Sequence, residues 1–392
     1  MADCRRTDFS LPHGTHYLNC AYMGPLSRRT QEAGAAAVLR KADPSGIAPG
    51  DFFAESDRAR TLFAALVNGV AADVAIVPAV SYAMAIVKRN LDFHGGNVVV
   101  AAEQFPSNVY AWRQLCRRTG ATLRTVAPPA SGEGRGAAWN EALLDAIDAG
   151  TRLAALPHVH WTDGTRFDLE RIGERARQVG AALVVDGTQS IGALPFDVAR
   201  VQPDFVACAA YKWLLGPYGI GFAWVGERFA AGEPIEQTWI GRAGSENFGG
   251  LVDYRDEYQQ GAVRYDVGER SNFILLPMAI TALEQVLEWS GGDIQAYCAE
   301  LLAGALAGAA ALGFGVEQHA WRAAHLVGLR APAGVSLDRL DAELRRARVY
   351  ASLRGSALRI APNLYNDAAD AAALLSVLEA VVTSASSPAA SP

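Results

Sequence analysis

Cysteine is scarce in this sequence, and the few cysteines that occur follow no pattern. No pair stands in a CxxC motif or at another metal-binding spacing, and their number is odd. A scattered, odd set excludes a disulfide framework and is typical of a reducing compartment, so we expect a cytoplasmic protein without a metal site. The five residues are Cys4, Cys20, Cys116, Cys208 and Cys298.

Long hydrophobic runs are also missing. No apolar stretch reaches the roughly 20 residues that span a bilayer, and residues 1–14 lack the apolar core of a signal peptide. The net charge of −6 argues against nucleic acid as the main partner. A Rossmann dehydrogenase would need GxGxxG opening a helix, and the first half of the chain has none. We therefore expect no membrane, nucleic-acid or dinucleotide partner.

The composition that is present describes a globular protein of two domains. The chain has 392 residues, of which 51% are hydrophobic and 19% are charged, and this length exceeds one small core. Apolar runs of strand length alternate with helical patterns, which predicts an α/β fold. We expect a large domain over 15–263 and a smaller α/β domain formed by 1–14 and 264–383. Residues 384–392 are of low complexity and are predicted to be disordered.

An acid and an amine stand at the ends of two predicted strands. The apolar run 183–185 ends in Asp186, and the run 204–210 ends in Tyr211 and Lys212. Ligands of open α/β sheets bind outside the carboxyl ends of the strands, so both groups would face one crevice. Pyridoxal phosphate (PLP) needs such a pair, a lysine for the Schiff base and a carboxylate that keeps the ring nitrogen protonated. Taken singly, either residue is an ordinary polar residue at a strand end.

The neighbouring residues extend this pair into a recognisable pattern. Gln189 follows Asp186, Tyr211 precedes Lys212, and residues 216–219 read Gly-Pro-Tyr-Gly. Together they resemble the class V aminotransferase family of PLP enzymes, which includes cysteine desulfurases, selenocysteine lyase, kynureninase, isopenicillin N epimerase and several aminotransferases. The resemblance implies the PLP-dependent transferase fold of type I, with a mixed, mostly parallel seven-stranded sheet between helices in the large domain. It also implies a homodimer with active sites near the interface.

The resemblance assigns a role to each of these residues. Asp186 should bind the ring nitrogen, Gln189 the phenolate oxygen, and Lys212 should carry PLP as an aldimine. Once the substrate amine displaces it, Lys212 is the natural base for the α-proton. The family's Ser-x-His-Lys is here Ala-Ala-Tyr-Lys, and Tyr211 remains able to donate a hydrogen bond to the phosphate.

A helix start after the predicted strand 74–77 is a candidate phosphate site. The residues that follow are small, and a helix is expected over 82–90. Free N–H groups at a helix N-terminus bind anions, so we predict that Val80 and Ser81 hold the PLP phosphate. The alternative is that Ser81 only caps the helix.

Two further predicted strand ends carry aromatic or imidazole side chains. Phe105 is expected to stack on the pyridine ring, with a core phenylalanine as the alternative. Residues 158–164 resemble the family's His-Val-x-x-x-x-Gly, in which the position of Trp161 lies near the PLP hydroxyl and the substrate. His160 is a candidate substrate contact, with a satisfied structural histidine as the alternative. No cysteine or glutamate completes a zinc site here.

The substrate carboxylate has a candidate partner near the C-terminus. Residues 358–366 resemble the family's Leu-Arg-x-Ser-x-x-x-Tyr-Asn, whose arginine binds the α-carboxylate through two hydrogen bonds. This position is Arg359, and a structural ion pair is the alternative. Asn19, in a segment that resembles the family's Tyr-Leu-Asn-x-Ala, is a second candidate, with a structural turn as the alternative.

One predicted contact would cross the dimer interface. Residues 264–272 resemble the family's Arg-Phe-Glu-x-Gly-Thr segment, whose threonine reaches the phosphate of the neighbouring subunit. Glu269 stands at the threonine position and would repel a phosphate, so the role is transferred to Ser271.

The sequence narrows the reaction without fixing it. A cysteine desulfurase needs a loop cysteine shortly before the carboxylate-binding arginine, and residues 345–358 contain none. We therefore expect an aminotransferase or a C–S or β-elimination lyase that acts on an amino acid, with an epimerase of the isopenicillin N type as an alternative. A non-catalytic PLP-fold binding protein is the alternative from another class, and it would stay colourless.

Overall fold

A seven-stranded sheet organises the larger part of the molecule. The structure, a computed structural model, describes residues 3–129 and 134–385. The strands are β1 (His16–Tyr17), β2 (Val74–Val77), β3 (Asn97–Ala101), β4 (Thr122–Val126), β5 (Thr151–Pro157), β6 (Ala182–Asp186), β7 (Phe205–Ala209), β8 (Gly221–Val225), β9 (Gly315–Val316), β10 (Val327–Arg330), β11 (Val349–Tyr350), β12 (Ser352–Arg354) and β13 (Ala357–Ile360).

Helices cover this sheet and fill the smaller domain. They are α1 (Arg28–Ala42), α2 (Asp51–Leu66), α3 (Val80–Asn90), α4 (Ser107–Thr119), α5 (Arg135–Ala146), α6 (Leu169–Val179), α7 (Val198–Val201), α8 (Leu275–Trp289), α9 (Gly291–Ala311), α10 (Leu337–Arg346) and α11 (Ala368–Ala385). Of the predicted disordered tail 384–392, the first two residues end α11, and 386–392 lie outside the described residues.

The large sheet is mixed and mostly parallel, as the predicted fold class requires. Its order is β2-β8-β7-β6-β5-β3-β4, and β8 runs antiparallel to both of its neighbours. The strands β3 to β7 are mutually parallel. Their carboxyl ends therefore meet at one edge, together with the end of β2 and the start of β8.

The central strands are apolar on both faces because helices cover both faces. Val99 and Leu156 point into the core under α2, α5, α6 and α8, whereas Val98 and Leu153 point into the core under α3 and α4. This alternation explains why these strands appear in the sequence as continuous apolar runs. The edge strand β4 has no such run, since it is only partly covered.

The smaller domain is built on the sheet β12-β13-β10-β9. Apolar residues of α9, α10 and α11 form its core, among them Leu302, Leu340 and Leu374. The parallel pair β1 and β11 joins the N-terminal segment to this domain. By length and composition α9 is apolar enough to cross a membrane, although no such run was expected from the sequence. A buried core helix meets the same criteria. Cys298 and Leu302 of α9 are buried in the protein core.

Residues on both sides of the predicted domain boundary at 264 pack against the large sheet. Ala262 and Tyr265 belong to the core beneath α3, and Leu276 and Leu283 of α8 pack into the core of the large sheet. The packing changes at the junction of α8 and α9, where Ser290 has a positive φ of 59°. α8 therefore buries its apolar face against the large sheet although it follows position 264, and the division of the chain into domains stays a prediction.

Candidate active site

A cavity of about 220 Å³ opens at the edge where the carboxyl ends of the parallel strands meet. Segments that follow β2, β3, β5, β6 and β7 line it, and residues just before β8 close it. Parallel topology brings these strand ends together although they are far apart in the chain. The lining includes eight of the predicted site residues, namely Val80, Ser81, Phe105, Trp161, Asp186, Gln189, Tyr211 and Lys212.

Asp186 and Lys212 share this cavity. Asp186 ends β6, and its Oδ1 accepts a hydrogen bond of 3.0 Å from the Thr188 N–H. Burial raises the pKa of Asp186, while hydrogen bonds from Thr188 and the charge of Lys212 oppose the rise. Lys212 is only 7% exposed, and burial lowers its pKa to about 8 against the opposing charge of Asp186. Near neutral pH a larger fraction of this amine is therefore neutral, and nucleophilic, than of an exposed lysine.

The backbone around Lys212 is held by the N-terminal segment. The Gly24 N–H donates to the Tyr211 carbonyl oxygen at 2.9 Å. A Cβ at Gly24 would lie 2.2 Å from the Lys212 carbonyl oxygen, so only glycine allows this close approach. The Cys20 thiol contacts the same oxygen at 3.7 Å. Residues 20–24 thus fix the turn that carries the lysine.

Gln189 is held by three residues that the sequence did not indicate. Its Oε1 accepts a hydrogen bond of 2.8 Å from the buried Trp213 indole, and its Nε2 donates to the Ala21 carbonyl oxygen at 3.1 Å. His325 of the small domain bonds the Gln189 carbonyl oxygen through Nε2 at 2.8 Å. Its ring lies 4.4 Å from that of Trp213, edge to face. The second amide hydrogen of Gln189 is left for a ligand.

The N-terminus of α3 forms one wall of the cavity. Ala79, not Ser81, occupies the N-cap position and makes no side-chain cap bond, so the capping alternative for Ser81 does not apply. The N–H groups of Tyr82 and Ala83 donate to the Ala79 carbonyl oxygen. Those of Val80 and Ser81 belong to the first turn and have no acceptor within the helix. This arrangement suits an anion.

Phe105 and Trp161 form an aromatic corner beside Lys212. Their rings meet edge to face with centroids 5.4 Å apart, and the Lys212 Nζ lies 5.4 Å from the Phe105 centroid. The Trp161 indole donates to the Glu103 carbonyl oxygen at 2.6 Å. Phe105 is 38% exposed, so it is a lining residue and not a core phenylalanine. Tyr211 contacts Tyr218 at 4.6 Å between centroids on the same cavity.

Arg359 lies behind Trp161 and is 1% exposed. Its Nη1 donates to the Trp161 carbonyl oxygen at 2.8 Å. Within the described residues, its Nε and Nη2 are buried without any hydrogen-bond partner, and no acid pairs with it. Burial lowers its pKa to about 9, and the charge of Arg354 adds to this effect. A structural ion pair, the alternative to carboxylate binding, is therefore absent from the described part of the chain.

His160 does not reach the cavity. The ring is fully buried, with Nδ1 2.8 Å from the Thr162 hydroxyl and Nε2 3.0 Å from the Ala102 carbonyl oxygen. It packs on Trp139 at 4.9 Å between centroids. Neighbouring residues in extended chain point to opposite sides, so Trp161 faces the cavity and His160 faces the core. This is the geometry of a structural histidine with satisfied hydrogen bonds, which was the alternative to a substrate contact.

Two other predicted contacts also lie outside this cavity. Asn19 is buried, and its Oδ1 accepts a hydrogen bond of 2.9 Å from Ser352 in the small domain. The Ser271 hydroxyl donates to the Phe52 carbonyl oxygen at 2.5 Å. Asn19 thus ties the N-terminal segment to the small domain. The role of Ser271 toward a neighbouring subunit remains a prediction, because the structure holds one chain.

None of the five cysteines lines the cavity. Cys208 directly precedes the lining residue Ala209, Cys20 contacts the Lys212 carbonyl oxygen, and both thiols are buried. Burial raises the pKa of Cys20 to about 12 and that of Cys208 well above its ordinary value. Neither thiol is therefore available as a thiolate nucleophile.

The donor set of this cavity fits pyridoxal phosphate. Free N–H groups, a carboxylate, an amide, a buried lysine and an aromatic ring all line it. A type I fold with these groups at its strand ends is that of a PLP-dependent enzyme. The model of the family described as aminotransferase class-V matches residues 48–241. The chain belongs to the class V aminotransferase family, whose cofactor is PLP, as the sequence resemblance predicted.

Curated relatives of different activities resemble this chain. An uncharacterized aminotransferase, YcbU of Bacillus subtilis, is 28% identical over 80% of each chain. Isopenicillin N epimerase of Streptomyces clavuligerus is 30% identical over 57% of this chain and 56% of its own. A probable cysteine desulfurase of Methanothermobacter thermautotrophicus is 35% identical over 42% of this chain and 40% of its own. The last two alignments thus cover less than two thirds of those relatives.

Solved structures share the fold along nearly the whole chain. The apo cysteine desulfurase of Thermococcus onnurineus superposes with a TM-score of 0.82 at 20% identity and covers 98% of this chain and 100% of its own. A lysine variant of C-DES with glycine covalently linked to PLP gives a TM-score of 0.83 at 20% identity and covers 96% and 99%. The predicted fold class is confirmed.

Proposed function

We propose that this protein is an aminotransferase or a β-elimination lyase, including C–S lyases, that acts on an L-amino acid. The observation that carries the proposal is the pairing of the Lys212 cavity with the unsatisfied edge of Arg359. Lys212 and Trp161 line the same cavity, and the Arg359 guanidinium lies 5.9 Å from the Trp161 ring centroid. An α-amino acid presents an amine and a carboxylate on one carbon, which matches these two groups.

Each group of the cofactor has a candidate partner. The Val80 and Ser81 N–H groups would bind the phosphate, Phe105 would stack on the ring, and Asp186 and Gln189 would bind the ring nitrogen and the phenolate oxygen. Bound PLP supplies an electron sink that stabilises negative charge at the substrate α-carbon. Tyr211, which lines the same cavity, would donate a hydrogen bond to the phosphate.

Lys212 and Arg359 would act on the substrate directly. Arg359 offers two adjacent N–H groups in the planar arrangement that a carboxylate accepts, which fixes the α-carbon relative to the lysine. The Lys212 amine, with its pKa near 8, is suited to take the α-proton and to return it at neutral pH. The small domain therefore holds the substrate while the large domain performs the proton transfer.

The cysteine geometry argues against a desulfurase. That reaction needs a thiolate at the substrate sulfur, and the cavity has no cysteine in its lining. Epimerisation needs a second acid or base opposite Lys212. Tyr211 is one candidate in the lining, but burial raises its pKa to about 12, which makes it a poor base at neutral pH. Both reactions rank below aminotransfer and elimination.

We further propose a cytoplasmic homodimer. Lys212 is the only lysine or arginine in the lining of the described cavity, so a phosphate at α3 would gain from donors of a second subunit, Ser271 among them. Large apolar side chains are exposed at Leu39, Tyr218 and Tyr254, which suits an interface. Sedimentation velocity on the holoenzyme would reveal a monomer if this proposal fails.

Spectroscopy and product assays test the function together. The purified holoenzyme should be yellow, and its visible band should shift when the right amino acid is added. Lys212→Ala should remove the band and lower turnover by about 10²–10⁴-fold or more, whereas Lys41→Ala on the exposed face of α1 should change neither. A Lys212→Ala protein that stays yellow and fully active would refute the proposal.

A screen of amino acids then separates the reactions. Formation of an amino acid from an added keto acid indicates aminotransfer, and release of ammonia with a keto acid indicates elimination. Loss of optical rotation without either product would show an epimerase instead. A colourless protein that takes up no PLP would show a binding role without catalysis.

A further inference from the structure

We propose that Arg354 is a second anion-binding residue of this site, and that the substrate is an amino acid whose side chain carries a carboxylate. The inference rests on the proposed function, because it takes Arg359 as the partner of the α-carboxylate. It adds the chemical class of the substrate's side chain. The residues at the strand ends of the large domain do not indicate that class.

The register of a β-hairpin places the two arginines on one face. In the antiparallel pair of β12 and β13, Ser352 stands opposite Arg359 and Arg354 stands opposite Ala357. Opposed residues share a face, and so do residues two apart along a strand. Arg354 and Arg359 therefore leave the same side of the hairpin, although five positions separate them in the chain.

Both guanidinium groups reach the same aromatic ring. The central carbon of Arg354 lies 5.6 Å from the Trp161 ring centroid, and that of Arg359 lies 5.9 Å away. Trp161 lines the cofactor cavity, whereas neither arginine is among the described lining residues. Both arginines also lower the pKa of Lys212 through their charge. The lysine and the two arginines thus form one cationic cluster around Trp161.

Neither arginine is neutralised by an acid of the described chain. The Arg354 Nε and the Arg359 Nε and Nη2 are buried without a partner. Each side chain uses only its Nη1, toward the carbonyl oxygens of Leu353 and Trp161 respectively. A buried, unpaired charge is costly unless a ligand of opposite charge completes it. Arg359 retains two adjacent donors for one carboxylate, and Arg354 retains a donor for another.

Other buried arginines of this protein show the contrast. Arg60 and Arg270 are as fully buried as Arg359 and more buried than the partly exposed Arg354, and both pair with the carboxylate of Asp266. Asp266 also accepts the Ile76 N–H at 2.7 Å. Where a guanidinium serves only the fold, the chain supplies an acid. At Trp161 it supplies two guanidinium groups and no acid, which points to a ligand with two carboxylates.

Carboxylic acids without an amine test the inference on the apoprotein. Calorimetric titration with butyrate and with the dicarboxylates malonate to adipate measures anion binding without PLP or turnover. We expect one dicarboxylate to bind the wild type at least about tenfold more tightly than butyrate, as one extra charged hydrogen bond implies. Arg354→Gln should abolish this preference and leave butyrate binding unchanged. Arg359→Gln should weaken both ligands.

Control variants separate binding from folding. Arg354→Lys retains the charge and should keep part of the preference, while Arg345→Gln, on the exposed face of α10, should match the wild type. Thermal unfolding of each variant confirms that it is folded. If Arg354→Gln weakens butyrate and dicarboxylate equally, Arg354 shares the α-carboxylate and the inference is overturned. A wild type without any preference overturns it as well.

The PLP-loaded protein distinguishes this inference from the proposed function. The visible band should shift at about tenfold lower concentration with the amino acid whose side chain bears a carboxylate than with its neutral amide, and Arg354→Gln should remove the difference. A preference for dicarboxylates together with no spectral response to any amino acid would refute the proposed function alone. A spectral response that ignores side-chain charge would refute this inference alone.

Discussion

The two halves of the site are built in different ways. The cofactor half consists of side chains that directly follow strands of the large sheet, such as Asp186 and Lys212. The substrate half comes from a hairpin of the small domain, whose Arg354 and Arg359 meet the large domain at Trp161. Sheet topology fixes the first half, and docking of two domains fixes the second. Cofactor uptake and substrate choice should therefore be separable by mutation.

The largest effect is expected from breaking the cofactor half at Asp186. Asp186→Asn keeps the shape but removes the charge that would pair with the ring nitrogen. Loss of one partner of a buried ion pair costs about 3–5 kcal/mol, so turnover should fall by roughly 10²–10⁴-fold. PLP affinity should fall too, as followed by absorbance and by dialysis. Asp92→Asn, at an exposed aspartate, is the matched control, and equal behaviour of the two variants would contradict the assignment.

A substitution of Arg359 should weaken substrate binding in the substrate half without changing PLP binding in the cofactor half. Arg359→Met removes a buried guanidinium whose Nε and Nη2 have no partner in the described chain. The apoprotein should become more stable by about 1–3 kcal/mol, because an unsatisfied buried charge is lost. PLP uptake should stay unchanged, while KM for the amino acid should rise by about 10–100-fold. Denaturant unfolding and steady-state kinetics measure the two results.

The exposed Arg345 provides the control for this variant. Arg345→Met should change neither stability nor kinetics noticeably, since its pair with Asp341 lies on the surface. If Arg359→Met instead destabilises the apoprotein, the guanidinium contributes to the fold and its unpaired edge is not held for a ligand.

His325 connects the two halves, and its protonation in acid should lower the stability of the folded protein. Burial lowers its pKa to about 4 from an ordinary value near 6.5. Between these values the unfolded chain binds a proton that the folded chain does not, so the free energy of unfolding falls as the pH drops from about 6.5 to 4. His325→Gln should remove up to about 3 kcal/mol of this pH dependence. Urea unfolding at several pH values measures it, with the exposed His94→Gln as control.

The sequence predicted the cofactor half because its signals are local. Asp186, Gln189 and Lys212 stand at the ends of apolar runs, and parallel topology brings such ends together whatever their distance in the chain. The central strands were visible for the same reason, since covered strands are continuous apolar runs. The edge strand β4 gave no such signal, because its residues are only partly buried.

The substrate half depends on register and docking, which one sequence does not display. Arg354 stands before Gly355-Ser356, a pair typical of a two-residue hairpin turn, and Gly355 indeed has a positive φ of 56°. That signal could have placed Arg354 beside Arg359. His325 offers no comparable sign, since its contact with Gln189 exists only after the domains meet. His160 was placed in the site because a strand end predicts a region of the molecule but not the direction of a side chain.

The smallest effect is expected at Cys20, which lies where the two halves meet. Its thiol contacts the Lys212 carbonyl oxygen and the Asn363 amide, each at 3.7 Å, and burial raises its pKa to about 12. A thiol that stays protonated performs no sulfur chemistry, so Cys20→Ala should retain kcat within about twofold and lose about 1 kcal/mol of stability. Cys116→Ala, remote from the cavity lining, is the control. If Cys20→Ala abolished turnover while remaining folded and yellow, a cysteine would take part in the reaction. The cofactor half and the substrate half could then not be changed independently at the place where they meet.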